Sequence, residues 1–169
     1  WRELVTAVGV FNDFLNSTPL NEQLALATFS TTSSQDVTLS TSTTPVTTRL
    51  NSITNNFTGG YTAIGDGINS GVNLVTDSSR SRVFAKRTMI VMTDGIQNMG
   101  SNPVARATAA YQNYGITVHV ITFSNGADQT EGAAIAAAGG GLHYHAASGA
   151  DLINVFELLA RTLPTMLTR

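Results

Sequence analysis

The stretch Thr88-Met-Ile-Val-Met-Thr-Asp-Gly95 constrains this chain more than any other: an apolar run that stops abruptly at an aspartate and a glycine. A run of that length without polar alternation reads as a strand buried on both faces, the kind found in the middle of a parallel sheet. Asp94 then falls at the strand's carboxyl end. In open α/β sheets that edge borders a crevice where ligands bind, so a lone acidic residue there is a functional candidate.

The rest of the chain reads as alternating helices and strands. Leu4, Val8, Phe11 and Leu15 recur at helical spacing, which predicts a first helix from Trp1 to Leu15. Gln23–Ser30 and Asp36–Leu39 read as two strands joined by a polar Thr-Thr-Ser-Ser turn, a hairpin in preference to a crossover. Pro45 near the start of a short helix with Leu50 and Ile53 follows. The loop Thr58-Gly-Gly-Tyr-Thr62 leads into a helix from Ala63 to Val75, with Ile64, Ile68, Val72 and Val75 on one face.

After the Asp94 strand come a helix from Pro103 to Tyr114, stopped by Gly115, and a strand Thr117–Phe123. A helix Gly132–Ala138, the glycine run 139–141, a strand Leu142–Ala146 and a helix Ala150–Leu163 complete the pattern, with Pro164 expected to end the last helix. Strands alternating with helices of this length imply right-handed crossovers. The expected fold class is α/β: three layers, doubly wound, a mostly parallel sheet with one antiparallel edge strand. One domain over residues 1–163 and a short tail from 164 to 169 suit the length of 169 residues.

Composition removes several function classes. Only 12% of residues are charged and the formal net charge is −2, so the overall balance makes no electrostatic case for nucleic acid or an anionic membrane. Arg80, Arg82, Lys86 and Arg87 stand out against that background and read as a solvated helix-to-strand connection. No cysteine is present, which excludes disulfides and thiolate chemistry. No segment approaches the length of a membrane span. The chain opens on Trp1 and not on Met, which suggests a piece of a longer polypeptide.

The order of these motifs resembles a known family. Gly59-Gly-Tyr-Thr62 opening a helix, Val-Met-Thr-Asp-Gly closing a buried strand, Gly-Ile-Thr-Val-His-Val-Ile-Thr-Phe, and Ala-Gly-Gly-Gly-Leu-His-Tyr-His-Ala-Ala-Ser before a helix with Asp151 are similar to the von Willebrand factor type A (vWA) domain. More loosely, the Ser/Thr-rich sequence is similar to bacterial pilus-assembly and surface proteins of the TadG type. The resemblance implies a divalent cation, Mg2+ or Ca2+, held at the top of the sheet by three loops. The first loop carries Asp-x-Ser-x-Ser, the second a threonine matched by Thr62, and the third an aspartate matched by Asp94. It further implies an open coordination position filled by an acidic side chain of a protein partner. The expected role is therefore noncatalytic adhesion or surface and pilus assembly, in an extracellular, periplasmic or cell-surface setting; a scaffold of the same fold working without metal is the alternative.

This sequence departs from the family at the first loop. No Asp-x-Ser-x-Ser occurs, and the strand that should carry it is missing as well. In the family's order that strand lies between the one ending at Ser30 and the one ending at Asp94. Its loss implies a gap of about 10 Å, two strand spacings, with unpaired backbone on both sides. An upstream segment or another chain is expected to supply the strand by β-augmentation. Thr62 and Asp94 offer two of the about six oxygens that Mg2+ requires, so the cation is expected only with the missing loop restored.

Each candidate also has a structural reading. Asp94 would accept backbone N–H bonds in the turn that follows it, and Thr62 would cap the helix starting at Ala63. Asp66, one turn into that helix, is a solvated residue or a support for a metal site. His143 and His145, two apart on a strand, share a face and read as a weak candidate for a transition metal; His119 reads as a hydrogen-bonded sheet residue. Gly65-Asp-Gly67 and the glycine run lack the contexts of phosphate loops, and no nucleophile elbow occurs. Asn16-Ser-Thr18 and Asn56-Phe-Thr58 match glycosylation acceptors.

Overall fold

The computed structural model describes residues 2–19, 21–56 and 59–166. Trp1 as the opening of the first helix, Thr58 as the opening of the glycine loop, and Phe57 and Thr58 of the second acceptor triplet lie outside the described residues. Six helices and five strands follow one another as α1 (Arg2–Ser17), β1 (Leu24–Phe29), β2 (Ser33–Ser40), α2 (Thr44–Asn56), α3 (Ile64–Thr76), β3 (Arg87–Thr93), α4 (Pro103–Tyr114), β4 (Ile116–Phe123), α5 (Gln129–Ala138), β5 (Gly140–Ala146) and α6 (Gly149–Met166), counted among the described residues.

The α/β class is as the alternation implies, in three layers. β3, β4 and β5 form a parallel sheet in that order, and β1 and β2 form an antiparallel hairpin. One face of the sheet packs Val91, Val118 and Val120 against Ile64, Ile68, Ala107 and Ile135 of α3, α4 and α5. The other packs Ile90, Met92 and Ile121 against Phe11 and Leu15 of α1 and Leu152, Phe156 and Leu159 of α6. Phe11 and Phe156 meet edge to face, with ring centroids 5.9 Å apart.

Several boundaries move. Ser33 and Ser34 pair with Phe29 and Thr28, so they belong to β2, and the turn shrinks to the residues between. α5 starts three residues earlier than expected because Asp128 accepts a bond from Glu131 N (2.9 Å) and caps it. Gly140 and Gly141 are drawn into β5 by pairing with β4. α6 runs through Pro164 to Met166, since a proline in the final turn removes only one intrahelical bond. Gly115 stops α4 in the left-handed conformation (φ 63°), as its position implies.

The larger correction concerns the reading of β3 from its own residues. That composition implies a strand buried on both faces in the middle of a sheet, yet β3 is an edge, as the absence of the family's first strand implies: Val91 and Thr93 are buried and its other five residues only half-buried. The hairpin beside it forms a separate sheet. Both β1 and β3 nevertheless point the same way. At their carboxyl ends Ala63 N donates to Ser30 O (2.9 Å), and Thr62 lies against Gly95. At their amino ends Gln23 Nε2 donates to Arg80 O (3.3 Å), and Arg87 Nε donates to Val75 O (3.1 Å). α3 spans the two: Gly67 abuts Phe29 of β1 and Gly71 abuts Met89 of β3, one helical turn apart. Across the other face, Leu24, Ile90 and Met92 pack on the α1 and α6 cluster. Two parallel strands therefore flank a slot that is roofed on both faces by helices and filled by no strand of the described residues.

Candidate functional site

The carboxyl edge of the sheet is built from the loops that follow β3 and precede α3. Asp94 leaves the last residue of β3 and is exposed, while Thr62 is half-buried two residues before α3. The two loops touch: a Cβ placed on Gly95 would lie 2.7 Å from Thr62 Oγ1, so glycine at 95 lets the threonine hydroxyl sit directly over the Asp94–Gly95 turn. The structure thus brings the two sequence-predicted residues to one place.

Neither of their structural readings holds. Gly95 N bonds to Thr93 Oγ1 (3.2 Å), so the turn after Asp94 is satisfied by the threonine before it. Ala63, not Thr62, is the N-cap of α3, and no side chain of its own segment caps the helix. Among the described residues the Asp94 carboxylate and the Thr62 hydroxyl make no hydrogen bond or ion pair. Two oxygens of the kind that hard cations accept are left uncommitted at one sheet edge.

Their backbone is held by two residues that the sequence reading passed over. Gln97 Oε1 accepts from Ile64 N (2.6 Å) and so supplies the cap that α3 lacks, while Gln97 Nε2 donates to Met99 O and to Ser101 O (3.0 Å). Its own N–H reaches Glu131 Oε2 on α5 (3.2 Å). Asn98 makes a reciprocal pair with Thr62: Asn98 N to Thr62 O (3.1 Å), and Thr62 N to Asn98 Oδ1 (2.8 Å). No periodicity marks such residues. The only hint is a pair of amide side chains just past Asp-Gly, able both to donate and to accept along a backbone.

Asp66 is neither solvated nor free. It is half-buried, and its carboxylate accepts from Ser101 N (3.1 Å), which ties the far end of the Asp94 loop to α3. Bonds from the Ser101 hydroxyl and backbone hold its pKa below the ordinary aspartate value. Around the rim, Tyr61, Ile96 and Met99 are exposed apolar side chains.

The histidines form a different arrangement, on the same sheet face as α5. His143 Nε2 and His145 Nδ1 lie 2.8 and 3.1 Å from the hydroxyl of Thr122, which is 0% exposed. A hydroxyl has one proton to give, and Tyr144 O at 3.4 Å is a further acceptor for it, so at most one ring accepts that proton and the group is a hydrogen-bonded structural network. Burial, then the neighbouring His145, lowers the pKa of His143. His119 is a sheet residue as expected, with Nδ1 accepting from Leu142 N (3.1 Å). Among the described residues no group of three or more His, Cys, Asp or Glu side chains could hold a metal.

Residues 1–158 match the von Willebrand factor type A domain. The chain belongs to that family. Its fold is also that of solved vWA-like structures, at identities that establish the fold alone. An aerotolerance-related membrane protein from Bacteroides fragilis superposes with a TM-score of 0.75 at 17% identity, over 98% of this chain and 89% of that one. The pilus adhesin SpaC from Lactobacillus rhamnosus GG gives 0.73 at 15% identity, over 98% of this chain and 28% of that one. Proximal thread matrix protein 1 from the mussel byssus, solved with a zinc-occupied MIDAS motif, gives 0.68 at 18% identity, over 95% of this chain and 40% of that one. No curated protein matches the sequence.

Proposed function

We propose that this vWA domain is a noncatalytic protein-binding module for adhesion or for surface and pilus assembly. It works through a divalent cation, Mg2+ or Ca2+, at the carboxyl edge of its sheet. The observation that carries the reading is the packing of the Thr62 hydroxyl on the Asp94–Gly95 turn, where the side-chain oxygens of Thr62 and Asp94 are uncommitted and the two loops are braced by Gln97 and Asn98. One hydroxyl and one carboxylate fit a hard cation in kind and fall short of it in number. The remaining donors belong to a loop that a strand seated in the slot would carry, supplied by residues preceding Trp1 or by another chain. When bound, the cation would offer an open position to an acidic side chain of the partner. Tyr61, Ile96 and Met99 would supply the apolar contacts around it.

Relatives in shape that are named as an adhesin and a thread matrix protein, one with zinc in its MIDAS motif, support this role. They also support an extracellular, periplasmic or cell-surface setting. The test is calorimetric titration of Mg2+ into the domain with its slot strand in place. Asp94→Ala should weaken binding at least about tenfold, the order expected for losing a charged ligand, and leave thermal stability nearly unchanged. Unchanged affinity would remove Asp94 from the site and favour a scaffold that binds partners without metal.

A further inference from the structure

At the opposite, amino edge of the sheet, the connection from α3 to β3 presents a feature that folding does not call for. Ala85 N donates to Arg82 O (3.2 Å), closing a β-turn whose two corner residues are Val83 and Phe84. They are 81% and 99% exposed. Turn corners are ordinarily Gly, Asn, Asp, Ser or Pro, each for a backbone reason, and neither valine nor phenylalanine serves one.

The turn is held out on a firm base. Asp77 O accepts from Arg80 N (3.1 Å) and Ser81 N (2.8 Å), and Arg87 donates to Val75 O and to Ser81 Oγ (2.9 Å through Nη2). Four of the chain's nine basic residues, Arg80, Arg82, Lys86 and Arg87, fall in this short stretch. Arg87 is spent on the base and Arg80 is weakly paired with Asp77 at 3.6 Å; Arg80 and Arg82 are exposed beside the apolar tip. A chain-wide net charge of −2 conceals this local excess.

We propose that this loop docks the domain on an anionic lipid surface. Phe84 and Val83 enter the boundary between headgroups and acyl chains, and the flanking cations meet lipid phosphates. Charge complementarity calls for an anionic partner, and shape selects among them. Two apolar residues on a convex tip fall far short of the about 800 Å² per side that a specific protein interface buries, whereas a bilayer deforms around a small wedge. The proposal stands apart from the cation site, which lies at the other end of the strands and would face away from the membrane.

Sedimentation of the full chain with phosphatidylglycerol-containing vesicles, against vesicles of phosphatidylcholine alone, tests it. Binding should require the anionic lipid and weaken with salt. Arg82→Ala should lower partitioning about fivefold and Phe84→Ala about tenfold, with melting temperatures unchanged because both side chains are exposed. Tyr61→Ala, at the opposite edge, should have no effect. Absence of binding, equal binding to the neutral vesicles, or indifference to Phe84→Ala would overturn the proposal. So would binding to soluble poly-glutamate that is equally strong and equally indifferent to Phe84→Ala, which would identify an acidic macromolecule as the partner.

Discussion

β4 and β1 are both short apolar strands covered by helices above and below, yet their surroundings differ. In β4 (ITVHVITF) six of eight residues are buried, because β3 and β5 pair with its two edges. In β1 (LALATF) none is: all six are half-buried, because only β2 pairs with it. Helices shield the faces of a strand, but only another strand closes its edge and satisfies its backbone. The half-burial shared by β1 and β3 goes with an edge that, among the described residues, no strand pairs with in either case.

The strongest way to break this comparison is to remove the same amount of apolar side chain on each side of it. Ile121→Ala, in the closed part of the sheet, should cost about 3–4 kcal/mol. Leu26→Ala, beside the slot, should cost only about 1–2 kcal/mol in the chain as it stands. Adding an apolar strand, as an N-terminal extension or a separate peptide, should raise the Leu26→Ala cost towards that of Ile121→Ala and leave the latter unchanged. The midpoints of denaturant unfolding report all four values. Equal costs without any added strand would mean that the slot is already closed.

What could be read from the sequence follows the same division. The helices and strands were legible because their apolar residues keep a period, and the Gly115 stop and the Asp94 strand end because each is a local signal. The open edge of β3 was not legible from its own residues: Thr88–Thr93 has the composition of a central strand, and its exposure depends on a neighbour distant in sequence. At the site, the donor types at Thr62 and Asp94 could be recognised. Gln97 and Asn98 could not, since the bonds by which they brace the site, from Ile64 N and Thr62 N, reach 33 and 36 residues along the chain, which no local pattern encodes. The basic stretch was visible as charge, but the protruding Phe84 became meaningful only once a turn placed it at a tip.

A smaller effect separates the braced edge loop from the slot behind it. Gln97→Ala deletes the bonds to Ile64 N, Met99 O and Ser101 O and leaves a helix-start N–H without its partner. It should cost about 1–2 kcal/mol and should lower cation affinity together with stability. Asp94→Ala, by contrast, should lower affinity alone. Hydrogen exchange that quickens at residues 96–101 and 62–64, with β4 unchanged, would confirm that the loss is local; uniform quickening would show the loop to be part of the global unfolding unit.

The closed half of the sheet has one flaw of its own, and pH exposes it. His119 on β4 is 3% exposed; its Nδ1 accepts from Leu142 N, and Nε2 is buried without a partner. The accepted bond fixes the proton on Nε2, so the ring is neutral, and burial lowers its pKa below the ordinary 6.5. A histidine with a depressed folded-state pKa binds its proton more readily when unfolded. Its contribution to stability is therefore full above about pH 6.5 and is lost as pH falls through the folded-state value. Stability should decline on acidification in that window by at most about 1.4 kcal/mol per pH unit for this one group. His143, on the opposite face, titrates in the same direction, so the wild-type slope alone does not identify the source. His119→Gln keeps an acceptor for Leu142 N and cannot be protonated. Its melting temperature should flatten between pH 7 and 5, roughly the span of the histidine titration, while His143→Gln should leave most of the decline in place. The reverse result would assign the acid sensitivity to the Thr122 network and leave the β4 core insensitive to pH.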